Sequence, residues 1–101
     1  DSWQHTIRHI ACEGRCYVLS CNQFVTKRDY PTDLPGEDLS GFDEIMSRGG
    51  TTVIDPLGNE LIQPLWDQPG IIMADLLSDV LVQSKMDFDV VGHYARNDLF
   101  R

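Results

Sequence analysis

The sequence predicts a small α/β domain, and three observations lead to that prediction. Apolar residues recur at helical spacing near the N-terminus, an apolar stretch that favours a buried strand follows directly, and a β-hairpin signature lies near the middle. The chain has 101 residues, of which 42% are hydrophobic, with 8 Gly and 5 Pro, a composition that argues against disorder. A chain of this length is expected to form one domain.

The first element is a helix over residues 2–13. Four apolar residues share one helical face, namely Trp3, Ile7, Ile10 and Ala11. Ser2 is expected to cap the start of this helix, and Gly14 is expected to take the left-handed conformation that ends it.

A buried strand and a long loop are predicted next. Residues 16–21 are apolar without alternation, which favours a strand covered on both faces. Between residues 24 and 50 periodicity fades and Pro and Gly recur, so we expect a long loop with one short helical turn over 42–47.

A hairpin, a further strand and a second helix complete the predicted elements. Residues 51–54 and 60–62 flank Asp55-Pro56-Leu57-Gly58, which suits a type I turn because Pro is second and Gly fourth. Residues 70–75 are predicted to form another strand. Ser78 can cap a helix that runs to about Lys85 and carries Val80, Leu81 and Ser84 on one side.

Charge and cysteine content exclude several classes of function. Sixteen acidic and eight basic residues give a net charge of −8, which disfavours binding to nucleic acid or anionic lipid. No apolar run approaches the roughly 20 residues that span a bilayer, and the first residues lack the pattern of a secretory signal. Three cysteines crowded into ten residues are typical of reduced thiols, which favours a cytoplasmic setting.

Two groups of side chains have spacings that could hold a metal. His5, His9 and Glu13 would form one stripe on the first helix, where they are either zinc ligands or a polar helical face; the polar face is favoured. The spacing of Cys12, Cys16 and Cys21 is near that of an iron–sulfur site but matches no cluster pattern, so free thiols are favoured. We therefore expect no metal and no cofactor.

Three residues are candidates for a pocket or for supporting one. Asn22 and Gln23 directly follow the predicted buried strand, where they either contact a ligand or tie down the next loop. Glu13, beside the end of the first helix, is either a buried carboxylate paired with backbone amides or Arg15, or a pocket residue; the structural role is favoured.

Three sequence blocks, taken in order, resemble the C-terminal part of nitrilases, which are carbon–nitrogen hydrolases. The blocks are residues 9–24, residues 49–58 with their Gly-Gly-Thr and Pro-Leu-Gly, and residues 87–98, which contain Asp-Phe-Asp-Val-Val-Gly-His-Tyr. The resemblance implies that residues 1–101 are the C-terminal part of a single domain with a four-layer αββα sandwich fold. It also implies a homo-oligomer or spiral assembly as the working form, and a small-molecule nitrile as the substrate.

The same resemblance implies the chemistry and where its residues lie. Nitrilases use a Cys nucleophile followed by Trp-Glu, together with a Glu base and a Lys, and all of these would lie upstream of this chain. No catalytic residue is therefore expected here, and Cys12 corresponds to an aliphatic position of the family. The implied reaction converts a nitrile to a carboxylic acid and ammonia. Two alternatives stay open: cyanide hydratase, which stops at the amide, and a structural or assembly fragment without catalysis.

Overall fold

An antiparallel sheet with one helix packed on its face forms the body of the protein. A computed structural model describes residues 2–31, 33 and 38–100. In chain order the elements are α1 (Ser2–Gly14), β1 (Val18–Ser20), β2 (Phe24–Thr26), two 3-10 turns (Lys27–Asp29 and Leu39–Gly41), β3 (Ile45–Ile54), β4 (Glu60–Trp66) and α2 (Ser78–Lys85). The α/β prediction is confirmed, as are the first helix, the hairpin and the second helix.

Strand β3 is the centre of the sheet because it pairs along both of its edges. β4 lies on one edge, with Val53 opposite Ile62. β1 and β2 follow one another along the other edge in a single register, since Val18 is opposite Ile54 and Phe24 is opposite Arg48. The predicted strand over 16–21 is therefore the first half of a longer strand, interrupted at residues 21–23.

The core lies between α1 and the inner face of the sheet. Ile7, Ala11 and Ile54 are buried there, and Val18 packs against them. Trp3 Nε1 donates to Ser20 Oγ at 2.9 Å, which fixes the start of the helix over β1. Of the helical face predicted from the sequence, Ile7 and Ala11 thus pack on the sheet as in an amphipathic helix, whereas Trp3 and Ile10 are 51% and 44% exposed.

Strand β1 is covered on one face only, which corrects the expectation of a strand buried on both faces. Val18 and Ser20 face the helix, whereas Leu19 points to the opposite side and is 64% exposed. The absence of alternation was misleading because Leu19 and Cys21 are apolar residues on an uncovered face.

The ends of the helices differ from the predicted capping. Ser2 is the first residue of α1, and Leu77 rather than Ser78 occupies the cap position of α2. The left-handed residue after α1 is Arg15, with φ of 46°, instead of Gly14. Any cap residue before α1 lies outside the described residues.

Two predicted elements are wrong. The stretch 42–47 is not a helical turn, because β3 already begins at Ile45; the short turn lies earlier, at Leu39–Gly41. Residues 70–75 form no strand: their backbone pairs with no other segment of the described chain. A strand requires a neighbour to accept its hydrogen bonds, and strand propensity alone does not supply one.

Candidate functional site

A groove on the outer face of the sheet, away from α1, is the main candidate for a binding site among the described residues. Its volume is about 480 Å³. The sheet forms its floor and residues 68–72 form one wall. The side chains and backbone that line it are Leu19, Ser20, Cys21, Asn22, Phe24, Gly49, Thr51, Thr52, Val53, Leu65, Gln68, Pro69, Gly70, Ile71 and Ile72.

The chemistry of this groove is apolar with a few neutral polar groups. Within the described chain its lining holds no Asp, Glu, Lys, Arg or His, and its one ionisable group is the thiol of Cys21. A thiol reacts as a nucleophile when a base or cation lowers its pKa. The groove offers no such neighbour, so it can bind an apolar group but cannot carry out acid–base chemistry by itself.

Asn22 lies at the point where the edge strand is interrupted, opposite the glycines of β3. Its backbone N–H donates to Thr51 Oγ1 at 2.9 Å, and the Thr51 hydroxyl donates back to the Asn22 carbonyl at 3.0 Å. Its side-chain Nδ2 also donates to the Gly50 carbonyl at 3.3 Å. Asn22 and Thr51 therefore bridge β3 and the interrupted strand at one end of the groove.

The glycine pair of β3 allows this bridge to form. Gly49 and Gly50 have φ of 84° and 88°, a conformation that costs a residue with a Cβ about 1–2 kcal/mol. A Cβ on Gly50 would come within 2.5 Å of the Trp66 indole, so no larger residue fits without moving it. The Gly50 carbonyl accepts a second hydrogen bond, from Gln4 Nε2 at 3.1 Å.

An ion pair holds Trp66 in place over Gly50. The Arg48 guanidinium lies 5.1 Å from the centre of the Trp66 ring and donates two hydrogen bonds to the Asp67 carboxylate, at 2.8 and 2.7 Å. These hydrogen bonds lower the pKa of Asp67 and raise the pKa of Arg48. Trp66 lines a cleft together with Gln4 and Arg8 of α1, so the stack lies on the helix side of the sheet.

Of the three candidate residues, Asn22 lines the groove and the other two lie outside it. Gln23 is exposed, and its backbone carbonyl accepts from Ser47 Oγ at 2.7 Å. Glu13 is not a buried carboxylate: its side chain is 67% exposed and lies 3.3 Å from His9 Nε2. Arg15, its expected partner, lies 3.6 Å from Asp87 instead.

The stripe of His5, His9 and Glu13 lies on the outer side of α1, as a polar helical face does. Nowhere in the part of the chain that the structure describes do three or more His, Cys, Asp or Glu side chains come together as metal ligands do. The cysteines are free thiols, and Cys12 packs against the hairpin turn, where a Cβ on Gly58 would lie 2.6 Å from its sulfur.

Sequence reasoning missed Thr51, Gly50 and Trp66 as parts of this arrangement. One signal pointed to them: two consecutive glycines within an otherwise β-favouring stretch mark a bulge or a close approach. The identity of the residue that approaches Gly50 could not be read from the sequence, because Trp66 reaches it through the pairing of β3 with β4.

Comparison with known proteins agrees with this architecture. The family model of carbon-nitrogen hydrolases matches residues 1–86. The chain belongs to the carbon-nitrogen hydrolase family. The predicted resemblance to nitrilases is thereby confirmed, including the mixed helix and sheet of a partial nitrilase-type fold.

Three relatives match almost the whole of this carbon-nitrogen hydrolase chain. An arylacetonitrilase of Trametes versicolor is 50% identical over an alignment that covers 98% of this chain and 32% of the relative. An aliphatic nitrilase of Sinorhizobium fredii is 45% identical, over 100% of this chain and 33% of the relative. A bifunctional nitrilase/nitrile hydratase of Lupinus angustifolius is 42% identical, over 98% of this chain and 30% of the relative. The chain thus spans about a third of the length of these relatives.

Neither described helix is long and apolar enough to cross a membrane.

Proposed function

We propose that this chain is the C-terminal part of a nitrilase, which hydrolyses a nitrile to a carboxylic acid and ammonia. The observation that carries the proposal is the 50% identity, over 98% of the chain, to a protein named as an arylacetonitrilase. The aliphatic nitrilase, at 45% identity over the whole chain, supports the same class of reaction. That residues 1–101 are part of a single domain, and that the working form is a homo-oligomer, stay predictions.

The proposed reaction passes through a covalent intermediate on a cysteine. The thiolate adds to the nitrile carbon while the nitrogen takes up a proton, which gives a thioimidate. Water adds to the same carbon, ammonia leaves, and the resulting thioester is hydrolysed by a second water to the acid and the free thiol. One nitrile and two waters therefore become one acid and one ammonia.

The nucleophile, base and lysine of this reaction are proposed to come from outside residues 1–101. The position of Cys12 supports this division, because its sulfur packs against the turn at Gly58 and not in the groove. The groove thiol, Cys21, has no base among the residues that line the groove. The proposed contribution of this chain is a wall of the substrate site, with Asn22 as the residue nearest to it and Gln23 as an outer support.

A chimera tests the proposal directly. The matching third of the Trametes versicolor arylacetonitrilase is replaced by residues 1–101, and ammonia release from phenylacetonitrile is measured beside the parent enzyme and the isolated chain. We expect the chimera to release ammonia and the isolated chain to release none. A chimera with the oligomeric state and circular dichroism of its parent that forms no product would overturn the proposal.

The product of the chimera separates acid formation from amide formation. The relative from Lupinus angustifolius is named for both activities, which favours the amide as a second candidate product. The amide forms when the thiol, rather than ammonia, leaves the intermediate after the first water has added. Chromatography of phenylacetic acid and phenylacetamide after complete conversion gives the ratio, and amide as the main product would favour the hydratase alternative.

Variants of the chimera test the proposed role of Asn22. Asn22→Ala removes an amide at the end of the groove, and we expect kcat/KM to fall about 10-fold or more. Asn97→Ala, in the exposed tail, is the matched control and should leave kcat/KM unchanged. Equal effects of the two substitutions, or an Asn22→Ala variant with normal kinetics, would remove Asn22 from the site.

A further inference from the structure

The hydroxyl of Thr51 takes the place of a backbone partner for Asn22. The ladder that joins β3 to β1 and β2 has no pair between residues 21–23 and residues 49–51. Within this break, Thr51 Oγ1 accepts from Asn22 N at 2.9 Å and donates to the Asn22 carbonyl at 3.0 Å. A hydroxyl can do both because it carries one hydrogen and two lone pairs. One side chain therefore satisfies both backbone groups of Asn22.

The side-chain amide of Asn22 is turned so that its oxygen is left as an acceptor. Its Nδ2 donates to the Gly50 carbonyl at 3.3 Å. A backbone carbonyl only accepts hydrogen bonds, so the group that faces Gly50 must be the NH2 of the amide. No donor within residues 2–31, 33 and 38–100 bonds to Asn22 Oδ1. At its end of the groove Asn22 thus offers an acceptor to a ligand that carries an N–H or O–H.

The position of this acceptor depends mainly on Thr51. The hydrogen bond from Asn22 Nδ2 to Gly50 is longer than the usual range of about 2.7–3.2 Å, whereas both hydrogen bonds to Thr51 lie within that range. No ladder pair holds Asn22 at this point of the edge strand. Loss of the Thr51 hydroxyl would therefore leave Asn22 with one weak tether.

A nitrile gives this acceptor nothing to bind, because the nitrogen of a nitrile carries no hydrogen. The nitrogen gains an N–H when the thiolate has added to the carbon and a proton to the nitrogen. When it leaves as ammonia after the first water has added, it departs from the carbon as a cationic group with three hydrogens. Hydrogen bonds from a charged donor are about twice as strong as neutral ones. The acceptor would therefore stabilise the later states more than the substrate, and only such differential binding speeds a reaction.

We propose that Thr51 is a positioning residue of the nitrilase site: its hydroxyl holds Asn22 so that Oδ1 accepts a hydrogen bond from the substrate nitrogen once that nitrogen is protonated. The inference rests on the proposed function, in which the nucleophile comes from outside residues 1–101. A displaced acceptor no longer stabilises the cationic nitrogen. The thiol then leaves the adduct in place of ammonia, and amide forms at the expense of acid.

Two substitutions at Thr51 in the arylacetonitrilase chimera test the role of its hydroxyl. Valine keeps the β-branched shape and lacks the hydroxyl, whereas serine keeps the hydroxyl. With phenylacetonitrile, we expect Thr51→Val to lower kcat about 10-fold, to change KM by less than about 2-fold, and to lower the ratio of acid to amide about 10-fold. Thr51→Ser should match the unsubstituted chimera. The product ratio does not depend on the folded fraction, so a merely structural role of Thr51 would not change it.

Thr6→Val is the matched control. Thr6 lies on the exposed side of α1, where its hydroxyl donates to the Ser2 carbonyl at 3.2 Å. The same chemical change at this position should alter neither kcat, KM nor the product ratio. Asn22→Leu replaces Thr51→Val if the valine variant does not fold, because it removes the acceptor and keeps the backbone hydrogen bonds to Thr51. It should lower the ratio of acid to amide as Thr51→Val does.

Hydrogen exchange of the Asn22 backbone amide tests the positioning without turnover. Thr51→Val removes the acceptor of this N–H, so we expect exchange that is faster by about 10-fold, and Thr51→Ser should leave it unchanged. A folded but inactive chimera would count against the proposed function. If Thr51→Val still speeds exchange at Asn22 in that chimera, the positioning of Asn22 by Thr51 stands, and its role toward the substrate nitrogen falls with the proposed function.

Three results in an active chimera would overturn the inference. The first is an unchanged ratio of acid to amide in Thr51→Val or in Asn22→Leu. The second is a Thr51→Ser variant that behaves like Thr51→Val, which would mean that the methyl group and not the hydroxyl matters. The third is a raised KM with unchanged kcat, which would mean that Asn22 binds the nitrile itself.

Discussion

The substitution Gly50→Ala tests the local geometry that places Asn22 at the groove. The left-handed backbone at Gly50 costs an alanine about 1–2 kcal/mol. Its Cβ would lie 2.5 Å from the Trp66 indole, so the ring must move. A forced rotamer costs about 0.5–1.5 kcal/mol, and loss of the stack with Arg48 costs about 0.5–1 kcal/mol. We expect a total of about 3 kcal/mol.

Native-state hydrogen exchange of the β3 amides over residues 51–54 measures this cost at low protein concentration. About 3 kcal/mol corresponds to exchange that is faster by about 100-fold. Gly41→Ala is the control, because its backbone is not left-handed and a Cβ there meets nothing within 4 Å. In a Trp66→Ala background the contact is gone, so Gly50→Ala should cost only the backbone part, about 1–2 kcal/mol.

Two results would refute this reasoning. If Gly50→Ala changes exchange no more than Gly41→Ala does, the backbone at Gly50 is not left-handed in solution. If the penalty is the same with and without Trp66, the indole does not lie against Gly50, and the account of how Trp66 limits this position is wrong.

Four further outcomes are expected. The isolated chain should release no ammonia from benzonitrile, phenylacetonitrile or simple aliphatic nitriles; turnover that disappears on Cys12→Ala would contradict the exclusion of that thiol. As its concentration rises, the isolated chain should self-associate and unfold without a sharp transition, whereas a monodisperse monomer with a sharp thermal transition would identify an autonomous domain. Burial raises the pKa of Asp55, but hydrogen bonds from Asn59 and Leu57 lower it more, so the net pKa is below its ordinary value. The contribution of Asp55 to the free energy of unfolding is therefore present above about pH 4 and is lost as the pH falls through the lowered pKa. In an acid titration of stability, Asp55→Asn should not show this loss. Tyr17→Phe removes two hydrogen bonds to Leu77, each worth about 1 kcal/mol, and should therefore speed amide exchange in α2 about 30-fold without changing that of β3; an equal change in both would mean that α2 unfolds together with the sheet.

Local signals in the sequence were enough to predict the elements that are held by interactions between residues close in the sequence. Helix α1 follows from its apolar spacing, and the hairpin turn follows from Pro56 and Gly58, since Gly58 N donates to the Asp55 carbonyl at 3.0 Å. Strand β3 was predicted at less than half its length. Residues 45–50 contain Ser47, Arg48 and the two glycines, which carry no apolar alternation, so their strand conformation depends on pairing with β2 and, at Gly49, with β4.

The candidate site was predictable in part for the same reason. The position of Asn22 after a strand that was predicted to be buried suggested either a ligand contact or an anchor for the next loop, and Asn22 lines the groove while it bonds to Thr51 and Gly50. The partners of Asn22, Thr51 and Gly50, lie 28 or 29 residues further along the chain, and their contacts depend on sheet register, which periodicity does not specify. Glu13 was misjudged because a helix end close to a strand in sequence does not determine which way the side chain points.

The connection between β2 and β3 gives protein engineers a place to insert peptides. Lys27 N donates to the Glu44 carbonyl at 3.0 Å, and this hydrogen bond joins the two ends of the connection between β2 and β3. The glycine pair of β3 separates this end of the sheet from the core under α1. Space around Gly41 is open. Since doubling the length of a loop costs only about 0.6 kcal/mol, an epitope or fluorophore-binding peptide inserted after Gly41 should label the protein without disturbing its core.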